Sequence, residues 1–188
     1  MKDLASVKAT ARAEAFARRQ AAWKAGHPDP SALLREVLAR HRGEAVAGYW
    51  PMRSEIDPRP ALAEAARHGP VGLPVMVRKG APLRFRAWKP GVPLVEGGFG
   101  TLVPEEGDWI VPRVLVVPLV AFDRRGGRLG YGGGFYDRTL AALRAAGPVT
   151  AIGFAWAAQE DNSLPLEQTD ALLDLVVTEA EIITPARS

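Results

Sequence analysis

Arg128-Leu-Gly-Tyr-Gly-Gly-Gly-Phe-Tyr-Asp137 lies between an apolar run, Val114-Leu-Val-Val-Pro-Leu-Val-Ala-Phe122, and a helix-forming segment, Thr139-Leu-Ala-Ala-Leu-Arg-Ala-Ala146. Strand, glycine loop and helix in that order bring bare backbone N–H groups to bear on phosphate. Glycine permits positive φ and lets a ligand approach without meeting a Cβ. The following helix adds unpaired N–H groups and the positive end of its dipole. Asp137 would repel phosphate unless a cation such as Mg²⁺ lay between them. The residues therefore point to a Mg-nucleotide site. A sharp turn is the plain alternative for any short glycine run. The loop does not end in Gly-Lys-Ser/Thr, so it is no Walker A motif. A dinucleotide fingerprint from Gly130 and Gly132 would need its third glycine where Phe135 stands.

Outward from this loop, strand and helix signals alternate. Residues 3–25 are rich in Ala and other helix formers without Pro or Gly and predict a long first helix. Ser31 is placed to N-cap a second helix over 32–42. Residues 45–50 read as a buried strand, 58–68 as a helix opened by Pro and closed by Gly69, and 71–77 and 83–88 as strands. Residues 89–109 are Pro- and Gly-rich and read as an irregular surface connection. The run 114–122 reads as one core strand. A helix near 135–146 and strands at 149–154 and 173–177 follow. The alternation argues for an α/β domain with a mostly parallel sheet.

With 188 residues, 47% hydrophobic and 24% charged, the chain is expected to form one domain spanning 1–188. The longest apolar run is far shorter than the ~20 residues of a membrane span. The N-terminus lacks the apolar stretch of a secretory signal, so a cytoplasmic protein is expected. With no cysteine, disulfides and thiolate chemistry are excluded. The net charge of +3 is spread along the chain, and suits an anionic small substrate as well as nucleic acid.

The residues Phe122-Asp123 and Gly127-Arg-Leu-Gly-Tyr-Gly-Gly-Gly-Phe-Tyr-Asp-Arg138 resemble the signature of the 5-formyltetrahydrofolate cyclo-ligases. Lys8-Ala-Thr-Ala-Arg12, Tyr49-Trp-Pro-Met-Arg-Ser-Glu-Ile-Asp57, Leu73-Pro74, Gly98-Phe-Gly100 and Leu164-Pro-Leu-Glu-Gln-Thr-Asp170 through Glu179 are similar to other pieces of that family, in the same order. The resemblance implies a single three-layer α/β/α domain that converts 5-formyltetrahydrofolate and ATP, with Mg²⁺, to 5,10-methenyltetrahydrofolate, ADP and phosphate. It implies that Lys8, Ala9, Thr10, Ala11 and Arg12 belong to the ATP site, together with Arg128, Leu129, Gly130, Tyr131, Gly132, Gly133, Gly134, Phe135 and Tyr136. Arg12, Trp50, Glu55 and residues 131–135 would touch the folate. Asp137 and Asp170 would bind Mg²⁺. Lys8, Arg12, Arg128 and Tyr136 would serve the chemistry itself.

Each assignment has a plain alternative in the residues. Lys8 and Arg12, four apart, also read as a solvated basic helix face. Trp50 reads equally as a core aromatic ending a strand, Glu55 as a carboxylate at a helix start, and Asp170 as an N-cap before Ala171-Leu-Leu. Phe135 stands where the family commonly has tyrosine, and Arg113 where aspartate is common. His27, His41 and His68 receive no catalytic or metal role. A nucleic-acid-binding relative without chemistry is the rival from another class. The chain lacks the aromatic–basic interleaving of a stacking platform, which argues against nucleic acid. The expected partners are 5-formyltetrahydrofolate and Mg-ATP, with the protein a monomer or weak homo-oligomer and no membrane attachment.

Overall fold

The computed structural model describes residues 4–167 and 170–186. The chain opens with helix α1 (Leu4–Ala25) and helix α2 (Ala32–Ala39), followed by strand β1 (Val46–Ala47), helix α3 (Arg59–Ala65) and strand β2 (Val71–Val75). Strands β3 (Arg84–Ala87), β4 (Leu94–Glu96), β5 (Leu102–Pro104), β6 (Trp109–Ile110), β7 (Val114–Pro118), β8 (Ala121–Phe122) and β9 (Arg128–Leu129) lead to helix α4 (Phe135–Ala146). Strands β10 (Thr150–Phe154), β11 (Leu175–Val177) and β12 (Ile182–Ile183) complete the chain.

The central sheet runs β12-β11-β10-β7-β1-β2-β3-β6. Its middle is parallel, from β11 through β10, β7 and β1 to β2, and its margins are antiparallel. Side chains alternate across it, as the pleat requires. Val114 and Val116 point to the face covered by α2 and α3, through Leu34, Val37, Leu38 and Leu62. Leu115 and Val117 point to the other face, where Leu140 of α4 packs. That is a three-layer α/β/α arrangement. Helix α1 sets Ala15 against Val120, Ala121 and Leu129, and Ala22 against the cluster on the α2/α3 face.

Several expectations need correction. The run 114–122 is not one strand. Pro118 has no N–H to continue the ladder, and beyond it the chain leaves β10, with Val120 N donating to Leu129 O at 2.8 Å. Arg128 and Leu129 thus belong to a β8–β9 hairpin, and the open loop is only 130–134. The segment 89–109 is not irregular throughout: β4 and β5 form a hairpin across Gly98–Gly100, and β6 begins at Trp109. Strand β12 carried no signal beyond two isoleucines. Helix α2 stops at Ala39, and Ser31 precedes it without a capping bond, since its hydroxyl turns back to Asp29 and Arg35. Ala171-Leu-Leu forms no helix, so Asp170 is not an N-cap. Among the described residues no helix is long and apolar enough to cross a membrane.

Candidate active site

The parallel strands end together, and the sheet reverses its order of winding between β1 and β7. Crevices at the carboxyl ends of strands beside such a switch point are where α/β sheets bind ligands. Strand β1 runs there into Tyr49, Trp50 and a tight turn at Met52–Glu55. Strand β7 runs into the β8–β9 hairpin, the glycine loop and α4. Helix α1 lies across both.

The turn is held from three sides. Glu55 N donates to Met52 O at 3.0 Å, and Met52 N donates to Glu55 Oε2 at 2.8 Å. Arg53 at its corner takes the left-handed conformation, φ +54°. Trp156 Nε1 donates to Ser54 O at 3.0 Å, and Arg19 Nε to Ser54 Oγ at 3.0 Å. Glu55 is 7% exposed, too deep for a carboxylate that merely opens a helix. Burial lifts its carboxyl above the ordinary range. The Tyr131 hydroxyl, the Met52 N–H and the charge of Arg19 pull the other way. Tyr131 donates to Glu55 Oε1. Trp50 packs against the core, edge-on to Trp88 at 6.4 Å, with the Arg59 guanidinium 4.7 Å from its ring centre.

The other end lies across the loop. Arg12 Nε donates to Gly130 O at 2.8 Å. At Gly132, φ +95°, a Cβ would lie 3.5 Å from the same guanidinium. Gly134, φ +63°, leads into α4. Lys8 Nζ reaches Glu167 Oε2 at 2.5 Å and Asp170 Oδ2 at 3.3 Å. Burial works against the Lys8 charge, but these carboxylates outweigh it and raise its pKa. Asp170 Oδ2 also accepts from Glu167 N at 2.7 Å. Both terminal nitrogens of Arg128, a residue 5% exposed, reach Asp137 Oδ1, which also accepts from Ala171 N at 3.0 Å. Burial lowers the Arg128 pKa against the pull of Asp137 and Asp170.

Lys8, Arg12, Arg128, Asp137 and Asp170 are thus gathered at one end, Glu55 and Tyr131 at the other. Other expected residues sit differently. Ala9 is exposed, the Thr10 hydroxyl is bound to Ser6 O at 3.1 Å, and Ala11 packs beside Ala15. Leu129 is buried under α1. Phe135 faces Phe99, 6.1 Å between ring centres, at the tip of the β4–β5 hairpin. Tyr136 is half-buried, and burial and the charge of Glu55 raise its hydroxyl pKa. Arg113 lies at the opposite end of β7, bonded to Pro148 O at 3.2 Å. Sequence reasoning missed Arg19, Ser54, Phe99 and Glu167 as neighbours of the site.

Asp137 and Asp170 suit Mg²⁺ by donor type, because each is a hard oxygen ligand and, among the described residues, its bonds fall on one carboxylate oxygen, Oδ1 of Asp137 and Oδ2 of Asp170. Among the described residues no third His, Cys, Asp or Glu joins them in a ready-made metal cluster. A cation here would complete its shell with phosphate and water, as Mg²⁺ commonly does.

A profile of the 5-formyltetrahydrofolate cyclo-ligase family matches residues 5–179. The chain belongs to that family. The 5-formyltetrahydrofolate cyclo-ligase of Escherichia coli is 35% identical over 144 residues, 73% of this chain and 79% of the relative. That of Haemophilus influenzae is 38% identical over 101 residues, 50% of this chain and 54% of the relative. The solved structure of Aquifex aeolicus 5,10-methenyltetrahydrofolate synthetase superimposes with a TM-score of 0.74 at 26% identity, covering 97% of this chain and 95% of that one. The mostly parallel sheet flanked by helices is the fold of a cyclo-ligase.

Proposed function

We propose that this chain is a cytoplasmic enzyme that closes 5-formyltetrahydrofolate to 5,10-methenyltetrahydrofolate with ATP, releasing ADP and phosphate. The observation that carries this is Tyr131. It stands inside the glycine loop gripped by Arg12 and also donates to the buried Glu55. One residue therefore joins a phosphate cradle to a recessed carboxylate. Glu55 can accept from a pterin ring N–H and its exocyclic amine in parallel, and Trp50 can flank that ring.

An N-formyl group is amide-like, and direct cyclisation would have to expel hydroxide. Transfer of the γ-phosphoryl group to the formyl oxygen makes that oxygen a leaving group. N10 then attacks the formyl carbon and loses its proton. The C–O bond breaks, phosphate departs, and the methenyl bridge remains. The residues supply position and charge, since phosphoryl transfer asks little covalent chemistry of a protein. Lys8 and Arg12 bring positive charge to the phosphates, and the N–H groups of 130–134 cradle them. Arg128 orders the start of α4 by holding Asp137. When bound at Asp137 and Asp170, Mg²⁺ would neutralise phosphate oxygens during transfer.

Purified protein with 5-formyltetrahydrofolate and Mg-ATP should raise the near-ultraviolet absorbance of the methenyl product. The rise should vanish when ATP or Mg²⁺ is left out. RNA affinity without ATP turnover would favour the non-catalytic binder instead.

A further inference from the structure

Arg19 is 2% exposed, within a helix whose other charged residues are all partly or fully exposed. A buried guanidinium persists only where its donors are satisfied. Its Nε donates to Ser54 Oγ at 3.0 Å and its NH1 to the Tyr131 hydroxyl at 2.5 Å. Its Cζ lies 5.0 Å from the Phe16 ring centre and 5.7 Å from that of Tyr131. Among the described residues no carboxylate pairs with it directly. Compensation comes at one remove, through the Tyr131–Glu55 hydrogen bond.

We propose that Arg19 is a positioning residue for folate binding: it fixes Ser54 and the Tyr131 hydroxyl so that Glu55 presents an aligned carboxylate to the substrate. This rests on the assignment of Glu55 to the folate. Arginine can only donate, so the oxygen of Tyr131 must accept from it. The single phenolic proton is then left to point at Glu55. A side chain that could also accept would let the hydroxyl turn round and leave Glu55 without its donor. Lysine would keep a donor but lose the planar fork and the ring stacking.

The same geometry couples the two ends of the site. Lys8, Arg12, Phe16 and Arg19 follow at intervals of four, four and three, so they share one stripe of α1. From Lys8 to Arg19 the stripe spans about 16 Å. Arg12 holds residue 130 of the loop and Arg19 holds residue 131. Helix α1 therefore grips the loop at two adjacent residues, one serving phosphate and the other serving folate.

The groups facing Glu55 are Arg19 from α1, Tyr131 from the loop, Tyr136 from α4, and Tyr49 and the Met52 N–H from its own segment. Arg19 is the cation among them. Removing it makes ionised Glu55 harder to hold, which moves the acid limb of kcat/KM for folate to higher pH.

The test measures kcat and KM for folate and for Mg-ATP separately, with pH profiles, in the wild type, Arg19→Met, Arg19→Lys, Tyr131→Phe and the Arg19→Met/Tyr131→Phe double variant. Arg19→Met should raise KM for folate by about tenfold or more and KM for Mg-ATP by less than about twofold, with the acid limb displaced upward. Tyr131→Phe should shift in the same direction. The double variant should be no worse than its worse single, because both break one relay. An unmoved acid limb in Arg19→Met, or equal losses for both substrates, would overturn the proposal. If Arg19→Met fails to fold, Tyr131→Phe and Arg19→Lys decide, and an unmoved limb in both overturns it. A wild type without turnover would remove the underlying function and this inference with it. An active wild type with unmoved variants removes the inference alone.

Discussion

Both terminal nitrogens of the Arg128 guanidinium converge on a single oxygen of Asp137, Oδ1, at 3.0 and 2.9 Å. The Arg128 side chain is 4% exposed, that of Asp137 30%. The carboxylate therefore has a structural duty beside any duty to a cation. Asp137→Asn should reduce turnover by at least about 100-fold and also lower unfolding free energy by roughly 1–3 kcal/mol, because a buried cation loses its partner. Urea unfolding beside the activity assay separates the two effects. Full stability in the variant would mean that Asp137 serves the ligand alone.

Glu55 gives a pH dependence with a definite sign. Its folded pKa is raised chiefly by burial, so the folded state binds its proton more readily than the unfolded state does. Its stabilising contribution is complete below the ordinary carboxylate range and is lost as pH rises through the raised value. Glu55→Gln should therefore unfold at a higher temperature than the wild type at neutral pH. The difference should shrink to nothing in acid. The same variant should raise KM for folate by about tenfold or more, as a charge-assisted pair is lost. A lower melting temperature at neutral pH would contradict the sign.

Lys8 meets Glu167 and Asp170 and stands a helical turn from Arg12. Lys8→Met should raise KM for Mg-ATP by about tenfold or more, and KM for folate by less than about twofold. Equal effects on both substrates would place Lys8 in the general support of the fold.

At Gly132 the backbone has φ +95°, and an added Cβ would sit 3.5 Å from the Arg12 guanidinium. Gly132→Ala should cost about 1–2 kcal/mol of backbone strain, because an L side chain rarely adopts that φ, and weaken Mg-ATP binding by about tenfold as the loop shifts to relieve it; the added Cβ itself makes only ordinary contact with Arg12. Nucleotide binding followed by calorimetry checks this.

How much of this the sequence held depends on the range of each interaction. The loop and α4 were legible because glycines, Asp137 and a helix-forming run lie together in the chain. The alternation of strands and helices exposed the layers, since valine and leucine alternate faces along 114–117. The break at Pro118 was visible as a residue but not as an event, because the partner that draws the chain away, Leu129, lies beyond a turn. The hairpin inside 89–109 was hidden by glycines and prolines that mark its tip and edges. Arg19 was hardest. Its burial comes from Ser54 and Tyr131, distant in sequence. The one local clue was its place on the helix stripe of Lys8 and Arg12.

The central claim is that ATP phosphorylates the formyl oxygen where the two ends of the site meet at Tyr131. The most direct measurement uses 5-formyltetrahydrofolate labelled with ¹⁸O in the formyl group, turned over with unlabelled Mg-ATP, followed by mass analysis of the phosphate released. The account predicts that the label leaves in phosphate, one formyl oxygen for each methenyl product. Label released to water while unlabelled phosphate accumulates would contradict it.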